Sequence, residues 1–239
     1  MSALALILAR AGSKGLPGKN WRPVAGRPCI LWTLDAARRA RDHGSIDRIA
    51  LSSDGDELLR IAIEAGIDVV RRPDQLASDT ATVDDAARHA VRALADESIR
   101  EIVILYANVP VRPPMLIERA VTMLRESGAD SVQSYTPVGK HHPWWTAVVN
   151  EQGEVRPWQG DLLNHGVFRR QDLPPAHVPD GGVLAVTRRA LFLEIPGVPP
   201  GPHAFFGRER RGIINPEGAV IDIDSDIDRR VAEAVLEQQ

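Results

Sequence analysis

The chain has 239 residues, 44% of them hydrophobic and 26% charged, with a formal net charge of −3. That length suits one large α/β domain, or one domain with a small insertion, and the near-neutral balance excludes a globally basic binder of nucleic acid or anionic membrane. No apolar run reaches bilayer-spanning length, and the single cysteine, Cys29, cannot form an intrachain disulfide, so it reads as a small buried hydrophobe in a cytoplasmic protein.

The first run, SALALILAR, is apolar but short. No charged segment precedes it and a glycine-rich loop follows, so it reads as a core strand and not as a signal peptide. Short buried strands are predicted over residues 4–8, 48–52, 68–70, 101–106, 131–135, 182–187 and 219–223. Between them the apolar spacing predicts helices over 29–41, 56–65, 82–95 and 114–126, with a last helix over 225–237. Thr80 or Thr82 caps the third helix, Pro113-Pro114 suits the first turn of the fourth, and Ser225-Asp226 suits the start of the last. This alternation predicts a Rossmann-like, doubly wound and mostly parallel sheet with helices on both faces. Residues 137–179 break the rhythm with six prolines and three of the five tryptophans. They read as an inserted arm that forms a contact surface, between core segments 1–136 and 180–239.

The densest chemistry lies directly after the first strand, in Ala9-Arg10-Ala11-Gly12-Ser13-Lys14-Gly15-Leu16-Pro17-Gly18-Lys19-Asn20. In doubly wound sheets ligands bind at the carboxyl ends of strands. The glycines let the backbone and its N–H groups approach a ligand, and Arg10, Lys14 and Lys19 add positive charge, a combination that suits a polyphosphate. The spacing is neither that of a P-loop, because five residues separate Gly12 from Gly18 and Asn20 follows Lys19, nor that of a Gly-x-Gly-x-x-Gly dinucleotide fingerprint. Near the C-terminus, Asp222-Ile223-Asp224 places two carboxylates on one side of an extended chain, where they invite a divalent cation. Asp226 and Asp228 fit helix capping better.

The loop resembles the signature of the acylneuraminate cytidylyltransferase family, matching it at every fixed position. The related octulosonate enzymes lack the Gly-Ser-Lys-Gly core. Similar family segments recur: Arg72-Pro73-x-x-Leu76-Ala77-x-Asp79-x-Ala81, the Ser52-Ser53-Asp54 end of the second strand, Arg170-Gln171-x-x-Pro174, and Asp222-Ile223-Asp224. The resemblance implies a nucleotide-diphospho-sugar-transferase type of fold and transfer of CMP from CTP to an acidic 2-keto sugar, with release of pyrophosphate. It implies Arg10 and Lys19 as the catalytic cations on the phosphates. Lys14 and the backbone of Ser13 and Gly15 cradle the β and γ groups, and Ala9, Gly12, Asn20, Arg72, Ala77 and Asp79 complete the nucleotide site. Arg170 and Gln171, with Tyr106 and Asn108, face the acceptor, Asp222 and Asp224 hold Mg²⁺, and the arm forms a homodimer. Arg72 is a planar donor fork able to read a base edge, and Asp54 reads as a structural cap.

Two departures fall on the acceptor side. Tyr106-Ala107-Asn108 stands where the family has Gln-Pro-Thr, and Asp180-Gly181-Gly182 where it has Asn-Gly-Ala, with His177 at the position of a family tyrosine. Three alternatives therefore stay open: another acidic acceptor (a different nonulosonic acid, an octulosonate or a phosphonate), another base, or a non-catalytic nucleotide-binding protein. Trp144, Trp145 and Trp158 either reach a partner's site or pack within the arm.

Overall fold

A computed structural model describes residues 2–12 and 15–238. Its centre is a seven-stranded sheet built from β1 (Ser2–Leu8), β2 (Arg48–Ser53), β3 (Asp68–Arg71), β4 (Ile99–Tyr106), β5 (Ser131–Pro137), β6 (His177–Thr187) and β7 (Arg210–Ile214). The order across the sheet is β3-β2-β1-β4-β6-β5-β7. Only β6 runs against its neighbours, antiparallel to both β4 and β5; the other pairings are parallel. The helices are α1 (Cys29–Asp42), α2 (Asp56–Glu64), α3 (Val83–Ala93), α4 (Leu116–Ser127), the short α5 (Arg188–Leu191) and α6 (Asp226–Leu236).

β1 reads as an unbroken apolar run because both of its faces are covered. Ala3, Ala5 and Ile7 point into the core shared with α1, α2 and α4, while Leu4, Leu6 and Leu8 point into the one shared with α3 and α5. Each fully buried leucine or isoleucine there contributes roughly 1.5–3 kcal/mol of transfer free energy. A third, smaller cluster lies off the sheet. Ala232 and Leu236 of α6 pack with Leu16, Val24, Cys29, Val111 and Ile223, so the last helix is fastened over the loop that follows β1.

Residues 219–223, expected as a strand, contribute a single antiparallel bridge, Val111 to Ile221. Ile221 and Ile223 serve the third cluster, and Val220 packs against the first. The seventh strand is β7 instead, an edge strand of mostly exposed residues with only Ile213 buried. β6 begins earlier than expected, at His177, and its pairing with β5 is interrupted between Pro179 and Leu184. Thr82, not Thr80, caps α3 by accepting from the Asp85 N–H at 3.2 Å. α4 starts only at Leu116, after Met115 takes a left-handed conformation at φ 58°.

Between β5 and β6 the chain leaves the sheet. It forms short turns of 3₁₀ helix and a small hairpin pairing Ala147–Val149 with Val155–Pro157. This excursion has its own packing. His142 is buried, accepting from the Trp144 N–H at 3.1 Å, with Nε2 3.1 Å from the Pro174 carbonyl oxygen. Trp144 stacks on His165 at 4.7 Å between ring centroids, and Trp145 Nε1 donates to the Val167 carbonyl. Trp144 and Trp145 thus pack within the arm, whereas Trp158 is exposed.

Candidate active site

The chain passes from β1 to β2 and β3 on one side, then returns to β4 on the other, so the strand order reverses between β1 and β4. A cavity of about 290 Å³ opens at the carboxyl ends of these strands, the place where doubly wound sheets bind ligands. Ala9, Arg10, Lys19, Asn20, Arg72, Ala77, Asp79, Tyr106 and Asn108, from segments far apart in sequence, all line it. Its remaining wall includes Ser78, Thr82 and Ala86, from the approach to α3 and its first turns. Sequence reasoning passes over these because nothing but position marks them.

The loop is tied down at several points. The Asp54 carboxylate accepts from the Ala11 N–H at 2.9 Å, in keeping with a structural role. Gly55 is needed beside it, since a Cβ there would lie 3.0 Å from the Ala11 Cβ. Asn20, buried, donates from Nδ2 to the Arg10 carbonyl at 2.8 Å. At Gly15 a Cβ would sit 2.8 Å from the Asp224 carbonyl oxygen, closer than any side chain tolerates, so the glycine brings the loop against the aspartates. Gly12 has open space around its Cα, and Ser13 and Lys14 lie outside the described residues.

Two cations of the site are paired with carboxylates. Arg10 Nη1 donates to Asp79 Oδ1 at 2.9 Å, and Lys19 Nζ donates to Asp224 Oδ1. Arg72 is buried and directs Nε and Nη2 to the Ser52 hydroxyl and carbonyl at 3.2 and 2.7 Å. These donors therefore hold the end of β2. Burial lowers the Arg72 pKa, with Asp54 opposing and Arg10 assisting that shift.

Asp222 and Asp224 do not line the cavity; each is bonded to a residue that does, Asp222 to Asn108 Nδ2 and Asp224 to Lys19. Ile223 between them is buried in the third cluster, which turns both carboxylates outward. Desolvation by the surrounding chain, and then the Asp224 carboxylate, push Asp222 up to about 6 against the pull of Lys19 and Arg112. A carboxylate raised by its neighbour's charge is one that a cation relieves. Among the described residues no group of three or more His, Cys, Asp and Glu side chains gathers into a metal cage. A pair of carboxylates is still a fitting set for Mg²⁺, which takes one or two and fills its shell with phosphate oxygens and water. Asp226 and Asp228 are spent at the start of α6: Asp228 completes a capping box with Ser225, and Asp226 pairs with Arg229 and Arg230.

Arg112 is a half-buried cation that sequence reasoning does not single out. It donates to the carbonyls of Gly182 at 2.7 Å and Tyr106 at 3.0 Å, to that of Val109, and to the Thr33 hydroxyl at 2.8 Å. Burial lowers its pKa to about 10. It joins α1, β4 and β6 beneath the site. Arg170 lies on the arm in the turn Arg170–Asp172, paired with Glu217 at 2.9 Å, and neither it nor Gln171 lines the cavity.

Residues 4–177 match the family model described as cytidylyltransferase. An N-acylneuraminate cytidylyltransferase of Streptococcus agalactiae is 32% identical over 197 residues, covering 81% of this chain and 45% of that protein. Its namesake from Oncorhynchus mykiss is 32% identical over 231 residues, covering 96% and 49%. The chain thus spans about half the length of these relatives. A CMP-N,N'-diacetyllegionaminic acid synthase of Legionella pneumophila is 29% identical over 251 residues and matches end to end, covering 99% of this chain and 97% of that one. The fold is shared with a CMP:2-keto-3-deoxy-manno-octonic acid synthetase solved with CTP, at TM-score 0.70, 17% identity and coverage of 100% and 99%. Taken with the loop, the cavity and the match over residues 4–177, these likenesses show that the chain belongs to the cytidylyltransferase family.

Proposed function

We propose that the protein transfers CMP from CTP to an acidic 2-keto sugar such as an N-acylneuraminate, releasing pyrophosphate. The observation that carries this reading is the basic, glycine-rich loop standing at the strand-order reversal against the Asp222–Asp224 pair. The names of the streptococcal and fish relatives support the acceptor class.

In the reaction a hydroxyl oxygen of the acceptor attacks the α-phosphorus in line and gives up its proton to solvent, the bond from that phosphorus to the bridging oxygen breaks, and pyrophosphate leaves with the electron pair. The protein's part in such a transfer is positioning and charge stabilisation. Lys19 exchanges Asp224 for phosphate oxygens, and Arg10 exchanges Asp79 in the same way, so both bring positive charge where negative charge builds. Asn20 fixes the loop from which Arg10 projects. Arg72, Ala77 and Asp79 form the wall facing the nucleoside. Asp222 and Asp224 would hold Mg²⁺, which when bound neutralises phosphate charge and lowers the pKa of a coordinated hydroxyl. The arm, with Arg170 and Gln171, would close the acceptor side in a homodimer. The single cysteine suits a reducing cytoplasm, and among the described residues no helix is long and apolar enough to cross a membrane.

A second reading keeps the chemistry and changes the acceptor to another nonulosonic acid. The end-to-end match to the legionaminic acid enzyme, together with the departures at Tyr106, Asn108 and Asp180, favours keeping it in the first experiment. Purified protein with CTP and Mg²⁺ is given N-acetylneuraminate or N,N'-diacetyllegionaminate, and pyrophosphate is measured. Release with one acceptor names it. Absence of release with every acidic 2-keto sugar, and of CTP binding, would overturn the proposal.

A further inference from the structure

Asn108, at a departure expected to face the acceptor, is turned instead toward the acidic pair. Its Nδ2 donates to Asp222 Oδ1 and, at 3.1 Å, to the Ile223 carbonyl, while the Ile223 N–H donates back to the Asn108 carbonyl at 2.9 Å. The side chain is buried, so its amide has little freedom to swing elsewhere. The other departure converges on the same carboxylate. Gly181, at φ 75°, lies beside it, where a Cβ would make ordinary van der Waals contact with Asp222 Oδ2 at 3.5 Å. Asp180, beside it, is held by the Gly182 N–H at 2.9 Å, by Asn215 Nδ2 at 2.7 Å and by the Ser134 hydroxyl. At Gly182 a Cβ would fall 2.8–3.0 Å from Leu116, Val220 and Ser134, so this turn is fixed from beneath.

We propose that Asn108 is a positioning residue for Asp222, its amide holding one carboxylate oxygen while the Gly181 turn backs the other, so that cation binding and not acceptor recognition depends on it. An amide donor suits this task because an ionised carboxylate only accepts. The inference rests on the reading of Asp222 and Asp224 as a cation site.

The test measures binding of Mn²⁺ alone by calorimetry or electron paramagnetic resonance, and binding of CTP in EDTA, for the wild type, Asn108→Ala and Asn108→Leu. Outer-shell partners of metal ligands are typically worth about 10–100-fold in metal affinity. Both variants should weaken Mn²⁺ binding by at least about tenfold, a larger loss than any in CTP affinity measured in EDTA. The leucine variant, which is close in size and has no donor, keeps the test valid if the alanine variant folds poorly. Unchanged Mn²⁺ affinity with a raised acceptor KM would overturn the positioning role and return Asn108 to the acceptor. A wild type that releases pyrophosphate yet shows no Mn²⁺ site also overturns it, without touching the transferase reading. Failure of the wild type to bind CTP at all would sink that reading itself.

Discussion

At the scale of single residues, Lys19 and Asp224 are bonded to each other, and this makes them testable as a pair. Lys19 acts on developing charge, so Lys19→Ala should lower kcat by orders of magnitude; a rise in KM alone would make it a ground-state anchor. Asp224→Asn removes a metal carboxylate and also releases Lys19 from its partner. Turnover should collapse while CTP still binds in EDTA, and wild-type rates in this variant would end the metal assignment. Cys29 offers a separate check. Burial pushes its thiol up to about 12, with Arg112 and Lys19 opposing. At pH 8 roughly one folded molecule in ten thousand carries the reactive thiolate. Alkylation should be slow in the native protein and fast in guanidinium. Because the folded pKa lies above the unfolded one, stability should also decline as pH rises from about 9 toward 12. Arg10, Lys19, Asn20, Asp222 and Asp224 are legible from sequence because their residue types and spacing are themselves chemical. The direction Asn108 takes, and the clamp formed by Arg112, depend on contacts across some 70 to 115 residues of chain, which no local pattern carries.

At the scale of elements, α6 belongs to the site although it contributes no residue to the cavity wall. It is joined to the Asp222–Asp224 segment through the Ser225–Asp228 capping box and pressed onto the loop by the third cluster. Ser225→Ala should cost about 1 kcal/mol of stability, and Leu236→Ala about 2–5 kcal/mol as a core truncation, both read by chemical denaturation. If α6 holds the aspartates, the Leu236 variant should also require more Mg²⁺ for half-maximal rate; an unchanged Mg²⁺ requirement would confine the helix to stability. The core strands and long helices are readable because buried strands are short apolar runs and the helices carry a one-sided apolar stripe. The two errors share a cause. Residues 219–223 have the composition of a strand but bury Ile223 under a helix, and β7 has the composition of a surface yet pairs with β5 along its whole length. Backbone pairing at a sheet edge needs little apolar signal, and an apolar run does not say which surface covers it.

At the scale of the whole molecule, the arm carries an excess of exposed apolar surface over its own small core. Val148, Val149, Val155, Trp158, Leu162 and Phe168 are all exposed, Phe168 to 90% and Trp158 to 66%. We propose that these side chains form an interaction site, as exposed apolar patches on globular proteins commonly do. Its partner is proposed to be a second copy, and an isologous contact would use the same patch on both subunits. Sedimentation equilibrium should then give a dimer, and Phe168→Glu with Trp158→Glu should yield a folded monomer with the thermal stability of the core retained. The consequence for catalysis separates two roles of the arm. If it closes the acceptor side across the interface, the monomeric variant should bind CTP normally and lose kcat/KM for the acceptor. A monomer with full activity would leave the arm as an assembly device alone, and an unaltered dimer would place the interface elsewhere on the molecule.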